Sequence, residues 1–156
     1  LGSGYSKRAT SLVAQHLAEV QYPESDQYSR LRASGTSGFF DAAYPGELKD
    51  LAAVVSTGLA ENEAKIYAPA IALRTWVYGY LTDTYGDVPY TTALAGDSST
   101  AVFDPTYDAQ RDIYADFFTQ LARVATDLGA TPTTGSRLGS ADPIYAGDVT
   151  RWQRFA

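Results

Sequence analysis

The 156-residue chain contains no cysteine. Disulfides, thiolate-bound metals and a thiol nucleophile are therefore excluded, and the redox compartment is left open. Histidine occurs once, and the phrase His16-Leu17-Ala18-Glu19 lacks the second histidine that a zinc-binding helix needs. With one histidine and no cysteine, a serine or cysteine triad is not expected in this chain. Basic residues are a minority, 12 Lys+Arg against 18 Asp+Glu for a formal net charge of -6. The arginines are dispersed, so a phosphate backbone meets no positive footprint and nucleic acid is not an expected partner. Long apolar runs are missing too. A helix needs about 18 consecutive apolar residues to span a bilayer, and the start Leu1-Gly2-Ser3-Gly4 shows no charged-then-apolar leader. Because no strand precedes it, that Gly-Ser-Gly is not a phosphate loop either, and no cofactor is expected.

What the chain does have is 45% hydrophobic residues, enough for a buried core at this length. One domain is the default. The chain begins without Met and ends on the apolar phrase Trp152-Gln153-Arg154-Phe155-Ala156, so residues 1–156 read as one partial helical domain, truncated at both ends. Val13, Leu17 and Val20 fall on one face of a helix predicted between Ser6 and Val20. Gln21 to Gly38 loses that period and reads as a long loop. Phe39 to Leu59 is helical again, with Pro45 marking a late start or a kink. Glu61 to Tyr85 carries Ile66, Ala70, Leu73, Val77 and Leu81 on one face, broadened by Trp76, Tyr80 and Tyr85. Asp108 to Leu128 repeats the pattern through Ile113, Phe117, Leu121, Val124 and Leu128, with Asp104-Pro105 as the expected cap and Gly129 as the expected left-handed stop. A last helix starts at Asp148 or Thr150. Strand signals are poor, so the class is all-α: antiparallel, tetratricopeptide-like helix pairs joined by long irregular loops.

One loop stands out, Leu81-Thr82-Asp83-Thr84-Tyr85-Gly86-Asp87-Val88-Pro89-Tyr90. Asp83 and Asp87 are four residues apart, but Gly86 and Pro89 stop the helix between them, so they share no helical face. Nothing nearby buries one carboxyl selectively, as a glycosidase pair requires. A hard cation would find oxygen ligands here, yet no spaced array like an EF-hand is present, and no metal is expected. The structural reading is the stronger one: Gly86 permits positive φ, Asp87 bonds nearby N–H groups, and Pro89 forbids helix continuation. Asp83, Gly86, Asp87 and Pro89 are expected to turn the chain and pin it against a neighbouring helix.

Aromatic residues are abundant, with 12 Tyr and 2 Trp. Aromatic faces stack on the apolar C–H faces of sugar rings, so tyrosine suits glycan binding as well as interfaces. Tyr67, Trp76, Tyr80, Tyr114, Phe117, Phe118 and Trp152 sit within helical patterns and are expected in the core or at helix contacts. The loop aromatics Tyr22, Tyr28, Phe39 and Tyr107 are less constrained and are the candidate ligand-binding residues.

Taken together, Ala72-Leu73-Arg74-Thr75-Trp76, the Tyr85-to-Tyr90 phrase YGDVPY, Tyr107-Asp108-Ala109-Gln110, and Asp142-Pro143-Ile144-Tyr145-Ala146-Gly147-Asp148 leading to Trp152-Gln153-Arg154-Phe155-Ala156 resemble the SusD/RagB-like glycan-binding lipoproteins of Bacteroidetes outer membranes. The phrases are independent and collinear, and the likeness covers roughly Gln15 to Ala156. Gln15 to Tyr22 also resembles the first helix of one SusD-like subfamily. The resemblance implies a helical scaffold with tetratricopeptide-like pairs, held at the outer face of the outer membrane by an N-terminal lipid anchor absent from this fragment. It implies no enzyme activity. The implied role is capture of oligosaccharide for a TonB-dependent, SusC-like outer-membrane transporter. The alternative is a scaffold or peptide-binding subunit that docks the transporter with little glycan contact. In that family YGDVPY looks like a signature of the fold.

Overall fold

The structure, a computed structural model, describes residues 11–21, 23, 26–28, 33–95, 102–130 and 139–156. Among them the architecture is all-α, with a single pair of two-residue strands. The chain divides into two compact units, Leu1–Pro45 and Gly46–Ala156.

In the first unit, α1 (Ser11–Val13) is a single turn with Leu12 buried. The helix predicted to run on to Val20 does not: Gln15 takes a φ of 56°, and the N–H groups of His16 and Leu17 both return to the carbonyl of Ser11. So short a helix is not held by its own hydrogen bonds, and Leu17 and Val20 are exposed, so no packing extends it. By contrast, α2 (Ala33–Ala43) reaches back into the segment read as loop, against the low helix propensity of Ser-Gly-Thr-Ser-Gly. Propensity is a weak prior, and here it loses. Phe40 and Tyr44 meet in a tilted ring contact, centroids 5.0 Å apart, near its end. The chain then passes through a wide turn, Tyr44–Leu48, in which Gly46 leaves helical geometry (φ −97°, ψ −108°). Pro45 therefore marks a kink.

The second unit is built on α3 (Lys49–Ala60) and α4 (Ala64–Tyr85), joined by the short link Glu61–Glu63. Glu63 caps α4 by accepting the Lys65 N–H at 3.4 Å. The two helices approach closely at Gly58, where any Cβ would lie 2.8 Å from the Tyr67 nitrogen and 2.9 Å from its Cβ. Glycine is the residue that permits this crossing. On α4 the predicted stripe is buried at Ala70, Val77 and Leu81 but only half-buried at Ile66 and Leu73, while Tyr67, Ala68, Ile71, Ala72, Thr75 and Tyr78 are buried as well. A helix enclosed by neighbours must be apolar nearly all round, which erases a clean one-sided pattern. Trp76, expected in the core or at a helix contact, is 47% exposed.

Helix α5 (Gln110–Gly129) runs antiparallel to α4, since Asp83 meets Tyr114 near one end and Tyr67 meets Asp127 near the other. Ile113, Phe117, Val124 and Leu128 are buried and Leu121 packs partly buried against the core, while Phe118 is 71% exposed. The predicted ends differ. Gly129 remains helical, and the cap comes from Asp87, not from Asp104. Helix α6 (Val149–Phe155) starts on Asp148, whose carboxylate accepts the Arg151 N–H at 3.0 Å. It inserts Val149 and Trp152 into a core shared with Val55, Tyr67, Ile71, Val124 and Leu128.

The segment before α6 folds around one carboxylate. Asp142 is 4% exposed and accepts the N–H groups of Ile144, Tyr145 and Gly147 together with the Trp152 indole at 2.6 Å. Burial alone would push this carboxyl up. The indole and the three N–H groups outweigh it and hold Asp142 below the ordinary carboxylate range.

Candidate functional site

The end of α4 is fixed by a small set of hydrogen bonds. Gly86 has a φ of 78°, its N–H bonds to the Thr82 carbonyl at 2.8 Å, and the Thr82 hydroxyl donates to the Gly86 carbonyl at 2.6 Å. From there Val88–Pro89 forms β1, which pairs antiparallel with β2, Tyr107–Asp108, in the register Val88 to Asp108 and Pro89 to Tyr107. Asp87 accepts the first N–H of α5, from Gln110, at 2.9 Å. The Gln110 side chain returns a bond to the Thr82 carbonyl at 2.8 Å. Asp83 accepts the Tyr114 hydroxyl at 2.5 Å, and that bond pushes the Tyr114 phenol up. Both carboxylates are exposed and both bond to α5. Neither has the burial that would hold a proton for acid catalysis. Among the described residues no three His, Cys, Asp or Glu side chains converge as a metal site.

The strand pair and the turn after it enclose a cavity of about 600 Å³ between α3, α4 and α5. Arg74 and Tyr78 line it from α4, Tyr90 and Thr91 from the turn, and Asp112 and Asp116 from α5. Asp108, on β2, builds the turn wall: it accepts the N–H groups of Tyr90 and Thr91, each at 2.9 Å, and the Thr91 hydroxyl at 2.8 Å. Burial pushes its carboxyl up, but the Thr91 N–H and hydroxyl and the Tyr90 N–H outweigh this and hold it below its usual range. The Tyr90 hydroxyl donates to Asp116, and its ring meets Tyr78 edge-on at 4.7 Å and Phe117 at 5.9 Å. Burial first, then the bond to Asp116, raises the Tyr90 phenol far above its ordinary value. Burial pushes the Tyr78 phenol up to about 12, with the Arg74 cation pulling the other way. Both phenols therefore stay neutral donors at any physiological pH.

The candidate aromatics fall elsewhere. Tyr28 is 61% exposed and donates its hydroxyl to the Val13 carbonyl at 2.7 Å, and Phe39 is partly buried on α2, both in the first unit. Tyr107 is exposed in the second unit, beside Asp108 but outside the cavity wall. Tyr22 lies outside the described residues. The cavity residues were not singled out from the sequence, although two signals were present. Arg74 is the one cation in the middle of an otherwise apolar helix, and Asp112 and Asp116 lie four apart on α5 and so share a face.

Among the described residues no helix is long and apolar enough to cross a membrane. A SusD-like family model, described as starch-binding and associating with the outer membrane, matches residues 3–156. A comparison with curated proteins gives no match.

Proposed function

Since the chain belongs to the SusD-like family of starch-binding, outer-membrane-associated proteins, we propose that it is a non-catalytic oligosaccharide-binding component of a TonB-dependent uptake complex. In this reading it sits at the cell surface on an N-terminal lipid anchor and delivers glycan to a SusC-like transporter. The observation that carries it is the family match along nearly the whole chain. The geometry supports it in two ways. The second unit holds a cavity that combines aromatic walls with a guanidinium and carboxylates, the mixture that sugar rings and their hydroxyls require. And Asp83 and Asp87, the nearest approach to an acid/base pair in the sequence, are bonded to α5 at exposed positions.

Calorimetric titration of the full-length protein with a panel of oligosaccharides, run beside a product assay, tests this. Saturable binding without product is the expected result, and product release would overturn it. A second reading, a scaffold that docks the transporter with little glycan contact, draws on exposed Trp76 and Phe118 on the two long helices. Large aromatics at exposed helix positions suit a protein interface. Under that reading oligosaccharide affinity is weak or absent, and Trp76→Ala or Phe118→Ala disrupts the complex.

A further inference from the structure

We propose that the cavity between α3, α4 and α5 is a subsite for one uncharged pyranose unit of an oligosaccharide, held by a vicinal pair of its hydroxyls. The inference deepens the proposed function and rests on it. It begins from which hydrogen-bonding groups in the cavity are already committed. Asp108 takes three bonds from the turn it supports, and Asp116 takes the Tyr90 hydroxyl and, at 3.4 Å, the Gln120 amide. Asp112 pairs with Arg111 at 2.9 Å, but both side chains are open to water, at 61% and 88% exposed, so that pair is readily exchanged for a ligand. Arg74 makes no ion pair or hydrogen bond with any of the described residues.

The cavity thus offers a forked guanidinium donor on one side and a replaceable carboxylate acceptor on the other. A vicinal diol is the complement of that arrangement. Each hydroxyl both accepts and donates, so two neighbouring oxygens can take the fork of Arg74 while one of them donates to Asp112. The aromatic wall is already in place. Two near-perpendicular ring neighbours, at 79° and 76°, and the bond to Asp116 fix Tyr90, so little side-chain freedom is lost on binding.

Charge then sets the class. A uronate could reach Arg74, but it would enter among Asp108, Asp112 and Asp116 on a chain of net charge -6. An amino sugar would suit the aspartates but would face Arg74. Like-charge contacts of either kind are the repulsive half of specificity, and only the uncharged ring avoids both.

The test titrates the full-length protein with neutral gluco-, galacto- and manno-oligosaccharides, an oligogalacturonate and an oligoglucosamine, and repeats it with Arg74→Gln and Ala52→Trp. Ala52 lies on the cavity wall in α3 and is partly exposed, so tryptophan there fills the space without replacing a polar group. The expected result is binding of a neutral member, at least tenfold weaker in both variants, with both charged oligomers at least tenfold weaker than the neutral one. Unchanged affinity in Ala52→Trp would place the sugar elsewhere and overturn the subsite while leaving the proposed function standing. Equal or tighter binding of a charged oligomer would overturn the class of ligand. If no oligosaccharide binds the wild type, both fall. Circular dichroism checks folding, and if Arg74→Gln does not fold, Ala52→Trp decides.

Discussion

Removing the Asp142 carboxylate should destabilise the second unit more than its small size suggests. In Asp142→Ala, four donors lose their acceptor: three N–H groups and the indole of Trp152. They are not equivalent. Trp152 is 3% exposed, so its indole N–H cannot turn to water, and a buried donor left unpaired costs about 1–3 kcal/mol. Ile144 is 48% exposed, and the turn it belongs to can recover water for its N–H groups. For those bonds the loss is nearer the net value of an ordinary hydrogen bond, about 1 kcal/mol in all once rehydration is allowed for. The sum is roughly 2–4 kcal/mol. For a chain of this length a kilocalorie moves the melting temperature by about 2–4 °C, so the midpoint should fall by roughly 4–16 °C. Thermal and urea melts by circular dichroism read it directly, with Asp142→Asn as the near-isosteric control. The amide keeps one acceptor oxygen and should lose about half as much.

Acid provides an independent check. The folded pKa of Asp142 is depressed, so its stabilisation is fully present above the unfolded carboxylate value of about 3.9 and is lost as pH falls through the lower folded value. The gap between wild type and Asp142→Asn should therefore be constant near neutrality and close below about pH 4. A gap under about 0.5 kcal/mol at pH 7, the range of an ordinary surface change, would show that the turn is held by something else. So would a gap that widens in acid.

Gly86→Val should cost about 1–3 kcal/mol, because a branched side chain at a φ of 78° is strained whatever space surrounds it; an unchanged urea midpoint would contradict the turn geometry. Gly58→Val should cost a similar 1–3 kcal/mol or more for a different reason, since the new side chain meets the backbone of Tyr67 and must push α3 from α4. Its signature is weakened hydrogen-exchange protection along both helices. Tyr90→Phe should lose about 1 kcal/mol with the bond to Asp116, read as a lower urea midpoint. An unchanged midpoint would show that this bond does not help to hold the fold.

How much of this was legible in the sequence depends on how one-sided each element is. Helix α5 reads correctly at Ile113, Phe117, Val124 and Leu128 because only one of its faces is covered. Helix α4 reads correctly only at Ala70, Val77 and Leu81, because it is enclosed, and a period is hard to read from a segment apolar on most sides; the exposed Trp76 is then indistinguishable from its buried neighbours. The ends of α5 were missed for a topological reason. Its cap arrives from Asp87, 23 residues upstream, and no local signal at Ala109 announces it. The all-α class needed only the absence of strand patterns. The cavity needed three helices and a turn to be brought together, and its residues look ordinary one at a time.

The phrases that carry the family resemblance share a property that bears on function: their acidic residues are occupied by the fold itself. Asp87 takes the first N–H of α5, Asp108 takes the turn at Tyr90 and Thr91, Asp142 takes four donors and Asp148 caps α6. A carboxylate that accepts N–H groups of the fold in this way is committed to holding the backbone. Changes in these phrases should then register as stability, and changes at Arg74, Asp112 or Ala52 as affinity. Asp87→Ala gives the sharpest form of this expectation. It should lower stability by about 0.5–2 kcal/mol through loss of the α5 cap and leave the affinity of the folded protein for oligosaccharide within twofold. If the variant instead kept its melting temperature and lost binding tenfold, Asp87 would be a ligand contact, and the division between architectural motif and binding cavity would be wrong.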